Sequence, residues 1–448
     1  MMKKQFLRTV VFAGVASGYL VAAPAQKETT NSFSLTLKQA EEIALNSSDE
    51  LKSIQSAAES TSENAEAQFS ALYPKLSLDA NYRYLTNVPK FSLPFPGATP
   101  IPFGTHDNYT VGPTLSYVLW DTGTSRNAYN SLDLLSRARR EDKKNAENQI
   151  LLGIRSTYLK LQLALEELRL LNNSLALAKK QNQDIEANYK GGAASKLDRV
   201  DSKREYLNYQ LQFQQKQSEV ASDFKDLLAL LKRDTPTHMD TQIHLDSLEE
   251  SISKTTTWKF APPTDQQPQV RSQRFLAESS DRAALSIKDA GFFPTVIVSA
   301  NASLQHPNAI KDETIEQNTF AVGVSLPLFE GNRTHHLMAQ KKKEAEAARF
   351  SEAQLKTNLS RDYNKAIEEL ENLREQQKLA SEDVQHSEEA AKLYYQSYRS
   401  GRLNLIDVQS ANNRALTSKV NAARINAQIL SHLFNLEAIT GEAATYAR

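Results

Sequence analysis

Cysteine is absent from all 448 residues. This excludes disulfides, zinc thiolate sites, thiol catalysis and lipid attachment at a bacterial lipoprotein cysteine. Glycine and proline are scarce, at 14 and 15, so long uninterrupted helices are permitted. Net charge is missing as well: 53 Lys plus Arg offset 53 Asp plus Glu, and no bulk attraction to nucleic acid is predicted. The apolar stretch Val10 to Val21 is about a dozen residues, short of the roughly 20 that a membrane-crossing helix needs. No later apolar run is longer. There is no phosphate-binding loop, no Ser/His/Asp constellation and no carboxylate pair set for acid-base work, so neither an enzyme nor a cofactor is predicted.

What is present begins with an export signal. Lys3, Lys4 and Arg8 precede the apolar stretch and Ala23-Pro24-Ala25 follows it, which predicts a signal peptide over residues 1–25 and a mature start near Gln26.

The rest of the chain is a duplication. Tyr189-Lys190-Gly191-Gly192 followed by Leu197-Asp198 recurs as Tyr398-Arg399-Ser400-Gly401 followed by Ile406-Asp407, at an offset of about 209 residues. The same offset carries Leu227 onto Leu436, while Val111-Gly112 is echoed by Val322-Gly323 and Tyr73-Pro74 by Phe293-Pro294. The first repeat is assigned to residues 26–232, a linker or equatorial region to 233–266, and the second repeat to 267–448. Each repeat reads as a helix, two strands, a very long helix, a tight turn and a shorter helix.

From Thr122 to Asn188 there is no proline and, after Gly123, only Gly153, a run of about 67 residues that would extend about 100 Å. Arg333 to Ser397 is its counterpart. Ile154, Tyr158, Leu161, Leu165 and Leu168 alternate steps of four and three, as coiled coils do. Asn172 and Lys179 then fall on the same register, so the seam is predicted to thin into a wall of helices with one wet face.

The predicted strands, at about 75–86, 108–120, 295–305 and 318–329, alternate in hydropathy. Leu76, Leu78, Ala80, Tyr82 and Tyr84 interleave with Lys75, Ser77, Asp79, Asn81 and Arg83. Tyr109, Val111, Leu115, Tyr117 and Leu119 form the second apolar row. The third row is Val296, Val298, Ala300, Ala302 and Leu304; the fourth is Phe320, Val322, Val324, Leu326 and Leu328. Each strand is about ten residues, the span of a transmembrane β-strand. Alternation alone also fits a half-buried sheet in a soluble sandwich. Against that stand helices too long for a compact domain, polar faces carrying Lys, Asp and Arg, and tyrosines gathered near strand ends. Four strands cannot close a barrel, so several copies are needed: two would give about eight strands and three about twelve. The alternative reading is a periplasmic coiled-coil scaffold or adaptor.

On these residues the chain resembles the TolC-like outer membrane factors of tripartite efflux and type I secretion systems. The resemblance runs from Leu35-Thr36-Leu37-Lys38-Gln39-Ala40 through Leu436-Glu437-Ala438-Ile439-Thr440-Gly441, and the two Tyr-x-x-Gly turns with Asp six residues after the Gly carry it most specifically. It implies a mainly helical fold with β-structure, and a homotrimer with a twelve-stranded barrel in outer-membrane lipid that continues into a periplasmic helical barrel. It also implies a periplasmic adaptor (membrane fusion protein) and an inner-membrane pump, resistance-type or ATP-driven, as partners. The lack of cysteine points to the unlipidated branch. Asn46 to Leu51 lacks the proline that many relatives carry there.

The resemblance implies site residues too. The tips Lys190, Gly191, Gly192, Ala193 and Ala194, and Arg399, Ser400, Gly401 and Leu403, would meet the adaptor, although glycine in a tight helix-helix turn explains them equally. Asp407 matches the first aspartate of the family's pore ring and Ser410 the second position, leaving about three carboxylates in place of six. Asp198 and Tyr398 match two members of the closing network, joined by a hydrogen bond. The family's arginine falls at Leu403, beside Arg402. Both aspartates also fit a simpler role, as charges complementing a helix N-terminus. His335-His336 reads as a polar helix face rather than a metal site, and the proline-rich loop from Asn87 to His106 as an ordinary exposed loop.

Overall fold

The structure is a computed structural model that describes residues 32–92, 94–97, 99–234, 242–255, 258–309, 311–441 and 445–446. The predicted signal peptide lies outside the described residues.

The first repeat opens with β1 (Ser32–Leu35), α1 (Leu37–Ser47) and α2 (Asp49–Phe69). Thr36 caps α1 in a reciprocal box with Gln39. Ser48 accepts from the Leu51 N–H at 3.2 Å, so a serine caps the second helix at the break between the two. Then come β2 (Lys75–Tyr84), a small ladder of β3 (Lys90–Phe91) and β4 (Ile101–Pro102) within the proline-rich loop, and β5 (Asp107–Trp120). The hairpin α3 (Thr124–Lys190) and α4 (Lys196–Leu230) completes the unit.

The 233–266 region holds β6 (Gln242–Leu245), α5 (Leu248–Thr255) and β7 (Trp258–Lys259). The second repeat follows with α6 (Pro268–Phe292), β8 (Thr295–His306), β9 (Ile315–Ser325), α7 (Arg333–Arg399), α8 (Leu405–Thr440) and β10 (Thr445–Tyr446). Both long helices have 67 residues, about 100 Å each. Among the described residues, no helix is long and apolar enough to cross a membrane.

Two short sheets tie distant parts of the chain together: β1 pairs with β6 in parallel, and β10 with β7 antiparallel. Tyr158, 2% exposed, donates its hydroxyl to the Leu35 carbonyl at 3.0 Å and accepts from the Asp246 N–H at 3.0 Å. Around this hub pack Ala40, Ile154, Leu161, Phe224, Leu227 and Leu228. The second repeat has its own cluster of Ala366, Leu370, Leu373, Ile429, Leu433 and Leu436. Leu227 and Leu436, related by the repeat, are both fully buried.

The helix seam differs from the expected one. It does not thin at Asn172 and Lys179, which are exposed; Leu171 and Ala178, one residue earlier, are buried against Tyr209. The step from Leu168 to Leu171 inserts an extra three in the alternation of four and three, which shifts the register by one residue and lets the seam continue.

The strand ends also move. The fourth strand stops at Ser325 rather than 329, just before Pro327, whose missing N–H cannot extend a ladder. It begins earlier, at Ile315, pairing with Gln305. A bulge between Val118 and Trp120 places Trp120, not Leu119, opposite Val296.

Candidate functional site at the sheet and the hairpin tips

The four long strands form one antiparallel sheet in the order β2-β5-β8-β9. Its register decides which residues share a face. Leu76 pairs with Leu115, Leu115 with Ala300 and Ala300 with Phe320, while Ala80, Val111 and Leu304 align in another row. Because side chains opposite one another point to the same side, the apolar rows of all four strands coincide. The other side gathers Lys75, Ser116, Ser299 and Ala321 in one row and Thr114, Asn301 and Thr319 in another. On it, Asn301 Nδ2 donates to Thr114 Oγ1 at 2.9 Å.

Neither face is covered. Leu76, Leu78, Phe320, Val322 and Val324 are all exposed. The outer strands β2 and β9 each have one unpaired edge within the chain. A greasy, exposed sheet with open edges is unstable alone in water and intolerable alone in lipid. The structure therefore carries two unmet demands, an apolar solvent and further strands. Long helix α7 makes a similar one, since beyond Leu373 none of its residues is buried within the subunit.

At the far ends of the hairpins the two repeats make the same turn. Ala193 N–H donates to Asn188 carbonyl at 2.8 Å, and Arg402 N–H to Ser397 carbonyl at 3.0 Å. Gly192 and Gly401 have φ of +77° and +75°, the left-handed conformation that ends a helix this way. The turns occupy 191–195 and 400–404, one residue later than expected. Lys190 and Arg399 close their helices. Gly191, Ala193, Ser400, Arg402 and Leu403 are exposed and Ala194 is half-buried.

Asp198 lies in the first turn of α4, and its Oδ2 accepts from the Ser195 hydroxyl at 2.8 Å and the Ser195 N–H at 3.2 Å. Asp407 stands at the equivalent position of α8 and accepts from the Asn404 N–H at 3.4 Å. Both aspartates thus serve as helix-start groups. Among the described residues the Tyr398 hydroxyl makes no hydrogen bond; burial and then the nearby Asp198 carboxylate push its phenol above the ordinary value. Asp407 and Ser410 share a face of α8 that turns away from the first hairpin, with Val408 and Gln409 buried behind them. Arg414, exposed one turn further along, went unnoticed in the sequence.

The sequence also gave no sign of the bonds that join the hairpins. Tyr395 Oη donates to Asp184 Oδ2 at 3.2 Å, Tyr209 Oη to Asn413 Oδ1 at 2.8 Å, and Asn412 Nδ2 to Gln181 Oε1 at 3.3 Å. Deeper in, Glu167 holds both Lys216 and Arg424. Only Tyr395 left a trace, as a tyrosine where the repeat offset places Glu186 in the first hairpin. His335 and His336 are exposed in the first turn of α7, and no group of three or more metal-ligating side chains forms among the described residues.

Several solved structures share this fold. VceC, an outer membrane protein of Vibrio cholerae, is 16% identical with a TM-score of 0.73, the match covering 91% of this chain and 96% of that one. A membrane protein from Pseudomonas aeruginosa is 18% identical at 0.72, covering 90% and 93%. The open state of the MtrE outer membrane channel of Neisseria gonorrhoeae is 17% identical at 0.69, covering 90% and 88%. No curated protein sequence matches the chain. The family model described as outer membrane efflux protein matches residues 41–231 and 265–442, the two repeats without the segment between them. The chain belongs to the outer membrane efflux protein family.

Proposed function

We propose that three copies of this chain form one passive export duct, a twelve-stranded barrel in the outer membrane continuous with a periplasmic helical tunnel. The protein is an efflux channel of the outer membrane with its helices in the periplasm. The observation that carries the trimeric duct is the sheet: its apolar rows coincide on one face, polar rows on the other, and both edges are free. Lipid meets the first demand and neighbouring subunits the second, and about twelve strands leave a lumen lined by the polar rows.

The tips, Lys190 to Ala194 and Arg399 to Leu403, dock a periplasmic adaptor, which couples the duct to an inner-membrane pump of a tripartite efflux or type I secretion system. Asp407 and Ser410 line the narrow end, where three carboxylates make a weak cation-favouring ring. Asp198, Tyr398 and Arg402 stand beside it and take part in closure. Energy and cargo selection reside in the pump.

The test is extraction and reconstitution. The protein is expected to require detergent, to elute at three times the chain mass, and to conduct ions in a planar bilayer. Asp407→Ala is expected to reduce cation preference and divalent block. A monomer that stays dissolved in plain buffer overturns the proposal; unchanged selectivity in Asp407→Ala removes Asp407 from the constriction.

A further inference from the structure

The turn into α3 is closed from within: the Asp121 carboxylate accepts from the Gly123 N–H at 3.0 Å and the Ser125 N–H at 2.8 Å. The repeat offset puts Glu330 in the same place before α7, yet its longer carboxylate turns to the Thr334 hydroxyl at 2.9 Å. A cleft of about 130 Å³ opens there, between the end of α6 and the start of α7, with Phe292, Leu328, Phe329, Glu330, Arg333 and His335 among its walls. Arg333 replaces the Thr124 of the first repeat, and its guanidinium makes no ion pair or hydrogen bond among the described residues.

The rim is strongly apolar. Leu328 is 90% exposed and Phe329 86%. Leu328 continues, past Pro327, the alternate row of Phe320, Val322, Val324 and Leu326 that forms the apolar face of the sheet. The cleft therefore sits where that greasy face ends and the periplasmic helices begin. It brings together an unpaired guanidinium, a carboxylate and two bare apolar side chains.

We infer that this cleft seats the headgroup of a zwitterionic ethanolamine phospholipid from the periplasmic leaflet. The phosphate meets Arg333 in a charge-assisted pair, the ammonium meets Glu330, and the acyl chains run along Leu328 and the row behind it. An anionic phosphatidylglycerol satisfies Arg333 equally but offers Glu330 only neutral glycerol hydroxyls in place of an ammonium. This rests on the reading that the sheet stands in lipid as part of an oligomer.

The experiment is native mass spectrometry of the full-length protein in detergent, titrated with phosphatidylethanolamine and phosphatidylglycerol of matched acyl chains. Up to three retained lipids per trimer are expected, with phosphatidylethanolamine retained at least fivefold better. Arg333→Ala is expected to lower retention of both lipids at least fivefold, while Glu330→Gln, which keeps the Thr334 bond possible, erases the preference. An intact trimer with equal retention in wild type and Arg333→Ala overturns this inference alone. So does a Glu330→Gln trimer that keeps the preference. Absence of any detergent-dependent oligomer overturns the inference together with the duct.

Discussion

Arg424 Nε of α8 donates to Glu167 Oε1 of α3 at 2.8 Å, while Lys216 Nζ of α4 donates to Oε2 of the same carboxylate at 2.6 Å. One side chain, 7% exposed, thereby fastens three helices drawn from both repeats. It lies between the apolar core around Tyr158 and the cross-hairpin hydrogen bonds nearer the tips. Removing a partner from a charged, nearly buried hydrogen bond costs about 1–3 kcal/mol. Glu167→Gln is predicted to destabilise the assembled protein by that order. In a double-mutant cycle with Arg424→Ala, a coupling of about 0.5–3 kcal/mol is predicted. Thermal unfolding of the four proteins checks this, and additive losses would show that the contact is idle.

Acid should act on the same group. Burial alone would raise the Glu167 carboxyl, but the bonds from Lys216 and Arg424 outweigh it and hold it below its ordinary value. A depressed carboxylate contributes stability that is full above its unfolded value, near pH 4.3, and is lost as pH falls through its lower folded value. Wild type is therefore predicted to lose melting temperature faster than Glu167→Gln between pH 5 and pH 3. Parallel melting curves for the two proteins across that window would refute the assignment.

The repeats differ at one strand glycine. A Cβ on Gly112 would collide with the Ala302 carbonyl and Ser303 Cα, whereas one on Gly323 meets nothing within 4 Å. Gly112→Val is predicted to disrupt the β5–β8 pairing, and with it assembly, through overpacking of about 1–3 kcal/mol or more. Gly323→Ala should assemble normally. The yield of detergent-extracted oligomer measures both, and equal yields would count against the contact.

At the tips the demand on glycine is conformational rather than steric. Neither Gly192 nor Gly401 has any atom within 4 Å of a Cβ position, so substitution costs only the left-handed backbone, about 1–2 kcal/mol each. Gly192→Asn and Gly401→Asn are predicted to be milder than the alanine variants, since asparagine visits this conformation more readily. Replacement of both by bulky residues should stop export while leaving the oligomer intact. Retained export in a cell-based efflux assay would reject adaptor docking at these turns.

Strands and tips were legible in the sequence because their signals are local. Alternation at period two marked all four strands, and the Gly192 and Gly401 turns announced themselves by duplication. The strand register near Trp120 was not legible, since a bulge adds a residue without altering composition. The helix seam was misread beyond Leu168 because a three-residue step moves the register, and a fixed heptad then lands on Asn172. The Glu167 clamp and the Tyr395–Asp184 bond join residues 257 and 211 apart. No local pattern encodes such pairs. Strands β1 and β6 escaped for a similar reason: each has four residues, and each is a strand only because the other is beside it.

That last pairing orders events during biogenesis. Ser32–Leu35 lies alongside Gln242–Leu245 in parallel register, so the earliest described segment finds no place until about 200 later residues have arrived. Closing so long a loop is slow. The β1–β6 pairing is therefore a late step of folding, and until it forms the leading segment has no strand to lie beside.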